Sequence, residues 1–491
     1  MLGGDLPYWR TPQAITAAAQ ASHTWWKNAD VPDVLNRIDA RKRPHLIAYS
    51  MDQRIRREML FGIPHLLQFP KPSGGLRTMT VLDPIDELLL RQQVGRLIAE
   101  IERALGSEVH SSRSIRLSGG EWAVEDWRKA GDRHRASIQM ERESEQWHGM
   151  GKLDVRSHYP TISLATLRLV LSSAGCSSNA VEDLLATLRV LQSRSRSTGL
   201  PIGPEASAPL GTIALAPLDR LLRSQGVVFL RWVDDVLMFV DAKEVYETLK
   251  ELADTHLHVV DQELNLPKCT YETFGTDDLA GFENAYGGLE IGTGIWFDDP
   301  AAALAELGEA RRVDGVTRAL GQLRSREDPA GVDVLLAHPW LIFKFPTPAA
   351  EYLRRVRKDI QNWDGIASLV LEDVEDETAA GQLRLVRLLE RKQIGASLGR
   401  EFFDRGRALD RTRFAPVANE FLAAAGRSQE SSTTRQRRAA DTAMEFADLN
   451  AKRALLGACL REMPDRSLRS TLEHLGRLEP DLAALLDLVA A

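Results

Sequence analysis

Over the first 300 residues, short apolar runs bounded by turn residues alternate with amphipathic stretches. Gly226–Leu230 and Val236–Val240 have the length and aliphatic content of buried strands. Gly151–Arg156 reads as a further short strand, and Ser157–Ile162 leads from it into a helix. Leu164–Ser172 and Lys243–Leu264 read as helices. Strands interleaved with helices predict an α/β or α+β domain. After Asp299 the texture changes. Apolar residues recur at spacings of three and four, as in Leu353, Val356, Ile360 and Trp363, and again in Leu383, Val386 and Leu389. That spacing predicts amphipathic helices throughout. Asp299-Pro300 has the form of a helix start and marks the boundary, giving a mixed domain over 1–298 and an all-α domain over 299–491. Several short helices in series suggest a stacked array, although no fixed repeat period is visible.

Composition narrows the class. Of 491 residues, 44% are apolar and 27% charged, which fits a soluble globular chain and excludes a disordered or collagen-like one. The net charge is −7, and because residues 301–491 are charge-balanced it falls entirely on the first part. The helical half is therefore no polyelectrolyte clamp. Cys176, Cys269 and Cys459 lie far apart and form no metal-binding pair or disulfide framework. No run reaches the ~18 apolar residues of a membrane span, and the N-terminal residues lack the basic start and apolar core of a signal peptide. A reducing, cytoplasmic location without membrane partners is expected.

Several motifs fall away. Gly151-Lys152 resembles the end of a phosphate-binding loop, but Gln146 stands where that loop needs glycine and Leu153 where it needs Ser or Thr. His256 and His258 are two apart and on a helix would face different ways. The acidic run Glu372–Glu377 reads as a solvated loop or helix start.

The carboxylates that remain are harder to dismiss. Asp234 and Asp235 sit between two apolar, strand-like runs. Buried charges cost several kcal/mol unless paired or metal-bound, so adjacent acids in such a hairpin call for a cation; a surface turn is the plainer reading. Asp154, at the end of an earlier strand, tips the balance, because a strand-end acid upstream of an Asp-Asp hairpin is the layout of a two-metal phosphoryl-transfer site. Between them Gly199-Leu200-Pro201-Ile202-Gly203-Pro204 marks a fixed turn where backbone can approach a ligand closely. Upstream, Phe69–Thr78 reads as a hairpin flanked by Lys71 and Arg77, two cations suited to a triphosphate.

Taken in order, these pieces resemble the reverse transcriptase family across roughly residues 40–290. The basic hairpin resembles the fingers. Asp154 followed by Tyr159 resembles the first palm motif, and Gly199–Pro204 the second. Trp232-Val233-Asp234-Asp235 resembles the Y-x-D-D box, with Trp in the aromatic position, and Leu264–Thr270 the next palm element, which carries Lys268. Ile202 stands where retroviral enzymes have Gln. The L-P-I-G-P form and the long helical half resemble the bacterial abortive-infection and defence-associated reverse transcriptases.

The resemblance implies reverse transcriptase fingers and a ferredoxin-like palm sheet, followed by an all-α, helical-repeat-like domain. It implies a polymerase acting in anti-phage defence, RNA-templated or template-independent. By that resemblance Asp154 and Asp234 bridge two Mg2+ ions, with Mn2+ as an alternative. Asp235 supports the site and the Val155 carbonyl adds a ligand. Lys268 protonates the leaving pyrophosphate, and Lys71 and Arg77 hold phosphates. Tyr159 gates the sugar or else is a core aromatic, and Gly199, Pro201 and Gly203 shape the nucleotide site. Expected partners are dNTPs, an RNA template or nascent single-stranded DNA, a noncoding RNA, and further copies of the chain. The alternatives are a group II intron- or retron-like polymerase without a defence role, an RNA-directed RNA polymerase, and a scaffold that only binds nucleic acid. Some relatives in this branch start DNA synthesis on a protein hydroxyl. Tyr352 is the one tyrosine beyond residue 301, with a helix-edge packing role as the competing reading.

Overall fold

The computed structural model describes residues 64–426 except 72–74, 83, 118–120, 145, 196–197, 275–296, 390 and 410, together with part of 17–22. The described residues fall into two compact units, with 85–274 in the first and 65–84 plus 297–426 in the second.

The first hairpin belongs to the second unit. β1 (His65–Pro70) pairs antiparallel with β2 (Leu76–Val81), placing Phe69 opposite Arg77. The Lys71 N–H donates to the Gly75 carbonyl at 3.0 Å, and Gly75 takes φ +75° to close the turn.

The first unit opens with α1 (Pro84–Gly95), α2 (Ile98–Ala104), the short hairpin of β3 (Ser114–Arg116) and β4 (Trp122–Val124), and α3 (Trp127–Glu143). Then comes β5 (Gly149–Asp154), one strand of a four-stranded antiparallel sheet. Helices α4 (His158–Thr161), α5 (Leu164–Ser173), α6 (Ser178–Ser195), α7 (Ser207–Ala214) and α8 (Ala216–Ser224) lead to β6 (Val228–Trp232) and β7 (Asp235–Val240). Helix α9 (Lys243–His258) precedes β8 (Thr270–Thr273), and the sheet order is β6-β7-β5-β8.

Side chains alternate across a strand. Leu153 and Val155, with Val236, Met238 and Val240, pack in one core with Leu218 and Leu222 of α8 and Tyr246, Leu249 and Leu257 of α9. The two glycines of β5 make room for tyrosines: a Cβ on Gly151 would sit 2.0 Å from the Tyr246 ring, and one on Gly149 2.3 Å from the Tyr271 hydroxyl. The Tyr246 hydroxyl donates to the Lys152 carbonyl at 2.9 Å. Gly151 is thus a packing glycine. The same alternation leaves Lys152 and Asp154 on the opposite face.

Two helix expectations change. The stretch predicted as Lys243–Leu264 is helical only to His258. Asp261 adopts φ +57°, and the Val260 and Gln262 amides turn back onto the Leu257 carbonyl, capping the helix early.

In the second unit, α10 (Pro300–Glu309) starts where Asp299 accepts from the Ala301 and Ala302 amides. It is followed by α11 (Val316–Arg326), α12 (Gly331–Ala337), α13 (Trp340–Lys344), α14 (Pro346–Arg355), α15 (Trp363–Val370), α16 (Ala379–Leu388), α17 (Arg391–Ala408) and α18 (Arg411–Gly426). Contacts run α10–α11, α11–α14, α14–α16 and α16–α18, and both α16 and α18 pack on β1. Leu353, Val356, Ile360 and Trp363 do not share one helix. The chain turns after Arg355, and Asn362 accepts from the Gly365 N–H at 2.8 Å to start a new one. Tyr352 does not edge the core with its hydroxyl in water, either. It is fully buried, and that hydroxyl donates to the Asp328 carbonyl at 2.7 Å.

Candidate active site

The acid end of the sheet is built by register. Asp154 is the last residue of β5 and Asp235 the first of β7, and the two are directly opposed. Asp154 is 8% exposed. Its Oδ1 accepts from Asn265 Nδ2 at 2.8 Å, its carbonyl accepts from the Asn265 N–H at 2.8 Å, and Lys268 Nζ lies 3.5 Å from Oδ2. Asp235 pairs with Lys152, Nζ to Oδ1 at 3.0 Å. Burial pushes the Asp235 carboxyl up to about 6; Lys152 opposes that shift, while Asp234 and Asp154 add to it. Val155 bridges to Leu264, fixing the chain that follows Asp154.

The β6–β7 connection is a two-residue loop, since Trp232 pairs with Asp235 and only Val233 and half-buried Asp234 lie between. Val233 takes φ +56°, an outlier for a β-branched residue. Its N–H donates to Ser111 Oγ at 2.5 Å, and its carbonyl accepts from Arg231 Nη1 at 2.8 Å. Arg231 is fully buried in a bidentate pair with Asp219, at 2.7 and 2.6 Å, and also donates to the Thr212 carbonyl at 3.0 Å. Trp232 lies against His134, ring centroids 5.4 Å apart, and His134 meets His110 edge-on.

A second cluster surrounds Tyr159. Its ring packs where Gly211 of α7 lacks a side chain, and His158 Nε2 lies 3.0 Å from the Gly211 carbonyl. His158 Nδ1 lies 3.1 Å from Gln262 Oε1. Burial lowers His158 to about 4, so it is neutral near pH 7 and one ring nitrogen donates. Gly199, at φ +73°, is pressed on the carbonyls of Tyr159 and Pro160, so that a Cβ there would come within 2.4 Å of both oxygens. The Leu200 N–H donates to the Tyr159 carbonyl at 2.8 Å. Pro201 and Gly203, the latter at φ +124°, continue this loop.

The residues expected from the sequence therefore form three groups. Asp154 opposes Asp235 and lies beside Lys268, with Asp234 next in the chain before Asp235; Tyr159 meets the Gly199 loop; and Lys71 and Arg77 stand exposed on the hairpin of the second unit. Lys152, Asn265, Gly211 and Ser111 were not singled out from sequence. Lys152 had a signal, a lysine two residues before a strand-end acid and so on its face. Ser111 and Gly211 had none.

Carboxylate oxygens from two opposed strand ends, one of them resisting ionisation, suit a hard divalent cation. Among the described residues no three ligating side chains converge as a ready-made metal centre. Asp154 is turned to Asn265 and Lys268, and Asp235 to Lys152.

Residues 70–300 match the family model described as Reverse transcriptase (RNA-dependent DNA polymerase). The matched segment is just under half of the chain, and it supports reading the protein as a reverse transcriptase-like nucleotidyltransferase with RNA-directed DNA polymerase activity. Among solved structures it is similar to apo telomerase from Candida tropicalis truncated from its C-terminal domain, with TM-score 0.30 and 12% identity over 46% of this chain and 54% of that one. It is also similar to telomerase from Candida albicans in complex with a fragment of telomeric RNA, with TM-score 0.31 and 12% identity over 74% of this chain and 66% of that one. The chain thus spans between half and two thirds of these telomerases. No curated protein matches it.

Proposed function

We propose that the chain is a Mg2+-dependent DNA polymerase of reverse transcriptase type that acts in bacterial anti-phage defence. The observation that carries the polymerase reading is the direct opposition of Asp154 and Asp235 across β5 and β7, beside Asp234. The sheet order, with α9 joining β7 to β8, supports reading it as a ferredoxin-like palm, and the fingers-and-palm domain over 1–298 rests on the order of the sequence motifs. The pairwise packing of α10 to α18 supports a helical-repeat reading of 299–491. The abortive-infection branch rests on the L-P-I-G-P motif and that helical half.

In this reading Asp154 and Asp234 hold two Mg2+ ions, or Mn2+, with the Val155 carbonyl as a further ligand and Asp235 in support. Bound there, the ions would favour ionisation of the attacking 3′-hydroxyl and neutralise charge on the leaving pyrophosphate. The chain's own residues do the rest. Lys268, exposed at its tip and beside Asp154, gives a proton to pyrophosphate. Lys71 and Arg77 bind the β- and γ-phosphates. Tyr159, held against Gly211, presents its ring to the sugar and disfavours a 2′-hydroxyl, while Gly199, Pro201 and Gly203 bring backbone close to the nucleotide. The partners are dNTPs and an RNA template or nascent single-stranded DNA, with a noncoding RNA and self-association beyond them, and the setting is cytoplasmic. No helix among the described residues is long and apolar enough to cross a membrane.

The test is incorporation of labelled dNTPs by the full chain, with and without template RNA, followed by product sequencing. Asp234→Ala should abolish incorporation while the protein stays folded. A rate within about tenfold of wild type, ~1.4 kcal/mol of barrier, refutes the assignment. Phage plating on cells carrying wild type or Asp234→Ala tests the defence role, which equal plating would exclude.

A further inference from the structure

We infer that Ser111 and the buried Arg231–Asp219 pair are positioning residues that hold the Val233-Asp234 loop in its left-handed turn. The inference rests on the polymerase reading for its functional consequence, and on the geometry alone for the clamp.

The loop has little to hold it locally. A left-handed φ is unfavourable for valine, and a two-residue loop offers few other contacts to fix it. Both polar groups of the Val233 backbone are instead gripped by side chains, one from outside the hairpin and one from β6 itself. The N–H finds Ser111 Oγ, and the carbonyl finds Arg231 Nη1.

Each grip is itself anchored. The segment before Ser111 runs beside β6 as a short parallel bridge, Val109 with Arg231. The Arg231 N–H donates to the Glu108 carbonyl at 2.8 Å, and the His110 N–H to the Arg231 carbonyl at 3.0 Å. Ser112 then turns away at φ +53°, leaving Ser111, itself buried, aimed at the loop. On the other side, Asp219 of α8 and the Thr212 carbonyl of α7 occupy three more of the five guanidinium donors of Arg231, at Nε and Nη2. A fully buried ion pair contributes little net stability compared with apolar side chains of the same shape. What this one supplies is a fixed donor at the Val233 carbonyl. Ser111 and Arg231 touch no reacting atom; they act through the loop that carries Asp234 and Asp235.

The experiment uses the full chain and three variants. Ser111→Ala removes the acceptor while leaving the backbone bridge, Ser111→Thr restores it, and Asp219→Asn loosens the guanidinium without emptying its site. Two readouts are taken, amide exchange at Asp234 and Asp235 in the metal-free protein, and kcat against KM for dNTP. Ser111→Ala should exchange about tenfold or more faster at both amides. It should also lose about tenfold or more in kcat, with KM within about twofold, because a misplaced carboxylate loop costs rate rather than nucleotide affinity. Ser111→Thr should recover both, and Asp219→Asn should move both in the direction of Ser111→Ala. Unchanged exchange at Asp234 and Asp235 in Ser111→Ala overturns the clamp, as does a loss of melting temperature with no change in kcat. If the wild-type chain incorporates no nucleotide, the polymerase reading fails, and the exchange measurement still decides the clamp.

Discussion

Gly211→Ala sets two physical preferences against each other. Gly211 lies inside α7, where exchanging glycine for alanine ordinarily stabilises by about 1 kcal/mol. Here the added Cβ would sit 2.8 Å from Tyr159 Cζ, 2.9 Å from Cε1 and 3.0 Å from the hydroxyl oxygen. The ring must shift, and overpacking of that kind costs about 1–3 kcal/mol. The net expectation is a loss of about 1 kcal/mol. In a Tyr159→Ala background the obstruction is gone, so the same change should stabilise by about 1 kcal/mol. The coupling is then about 2 kcal/mol, well above the scatter of independent sites. Urea unfolding of the four proteins in the cycle measures it. Incorporation supplies a second reading. If Tyr159 disfavours the 2′-hydroxyl, then Tyr159→Ala should raise ribonucleotide use, and Gly211→Ala should change the dNTP/rNTP ratio by moving the ring without removing it. The same free-energy change in both backgrounds would refute the packing argument. An unchanged ratio in Tyr159→Ala would make Tyr159 a packing residue.

Burial lowers His158 to about 4 in the folded chain, below its ordinary value near 6.5. Between those values the unfolded chain binds more protons, so stability is full above about 6.5 and falls by up to about 3 kcal/mol as pH drops to 4; His158→Asn should flatten that part of the pH–stability curve, and an unchanged slope counts against it. Tyr352→Phe should cost about 1 kcal/mol in melting experiments through loss of the bond to the Asp328 carbonyl. It should leave any protein-attached product unchanged, because that hydroxyl is buried; loss of the label in the variant would reverse this. A chain ending near residue 298 lacks the α16 and α18 surfaces that pack on β1, uncovering buried Leu67. It should aggregate or lose activity, and a soluble, fully active monomer would contradict this.

The acids were legible because they interrupt apolar runs: Asp234 and Asp235 fall between strands, and Asp154 closes another. What surrounds them was not. Arg231 precedes Trp232 in the sequence and looks like a solvated flank, since nothing local indicates that Asp219, on another helix, takes it fully out of water. Gly211 sits in an apolar helical run where any small residue would fit, and only the ring from α4 makes the missing Cβ matter. The helix break after Arg355 was hidden because Val356 and Ile360 remain buried, so the apolar spacing continues while the backbone hydrogen bonding does not. Likewise the Phe69–Thr78 hairpin was legible from its turn residues, but its place with the C-terminal helices was not. That follows from α16 and α18 packing on β1, with Arg384 over the Phe69 ring, 5.8 Å from its centre, contacts across more than half the chain.

The electrostatics of the acid end bear on whether the site is idle. The Asp235 carboxyl is raised to about 6 from near 3.8, with burial as the main cause and the charges of Asp234 and Asp154 adding to it. A carboxyl raised in the folded state contributes stability that is full below its unfolded value and is lost as pH rises through about 6. Near pH 7 the ionised group therefore costs the metal-free fold on the order of 3 kcal/mol, even with Lys152 beside it. Val233 adds a strained backbone at the same loop. A protein that used this fold only as a nucleic-acid scaffold would have no need of a raised carboxyl paired to a largely buried lysine beside a strained turn. Three carboxylates at one sheet end, with lysines and an asparagine arranged to tolerate them, make sense where a cation and a phosphoryl group relieve the charge during function.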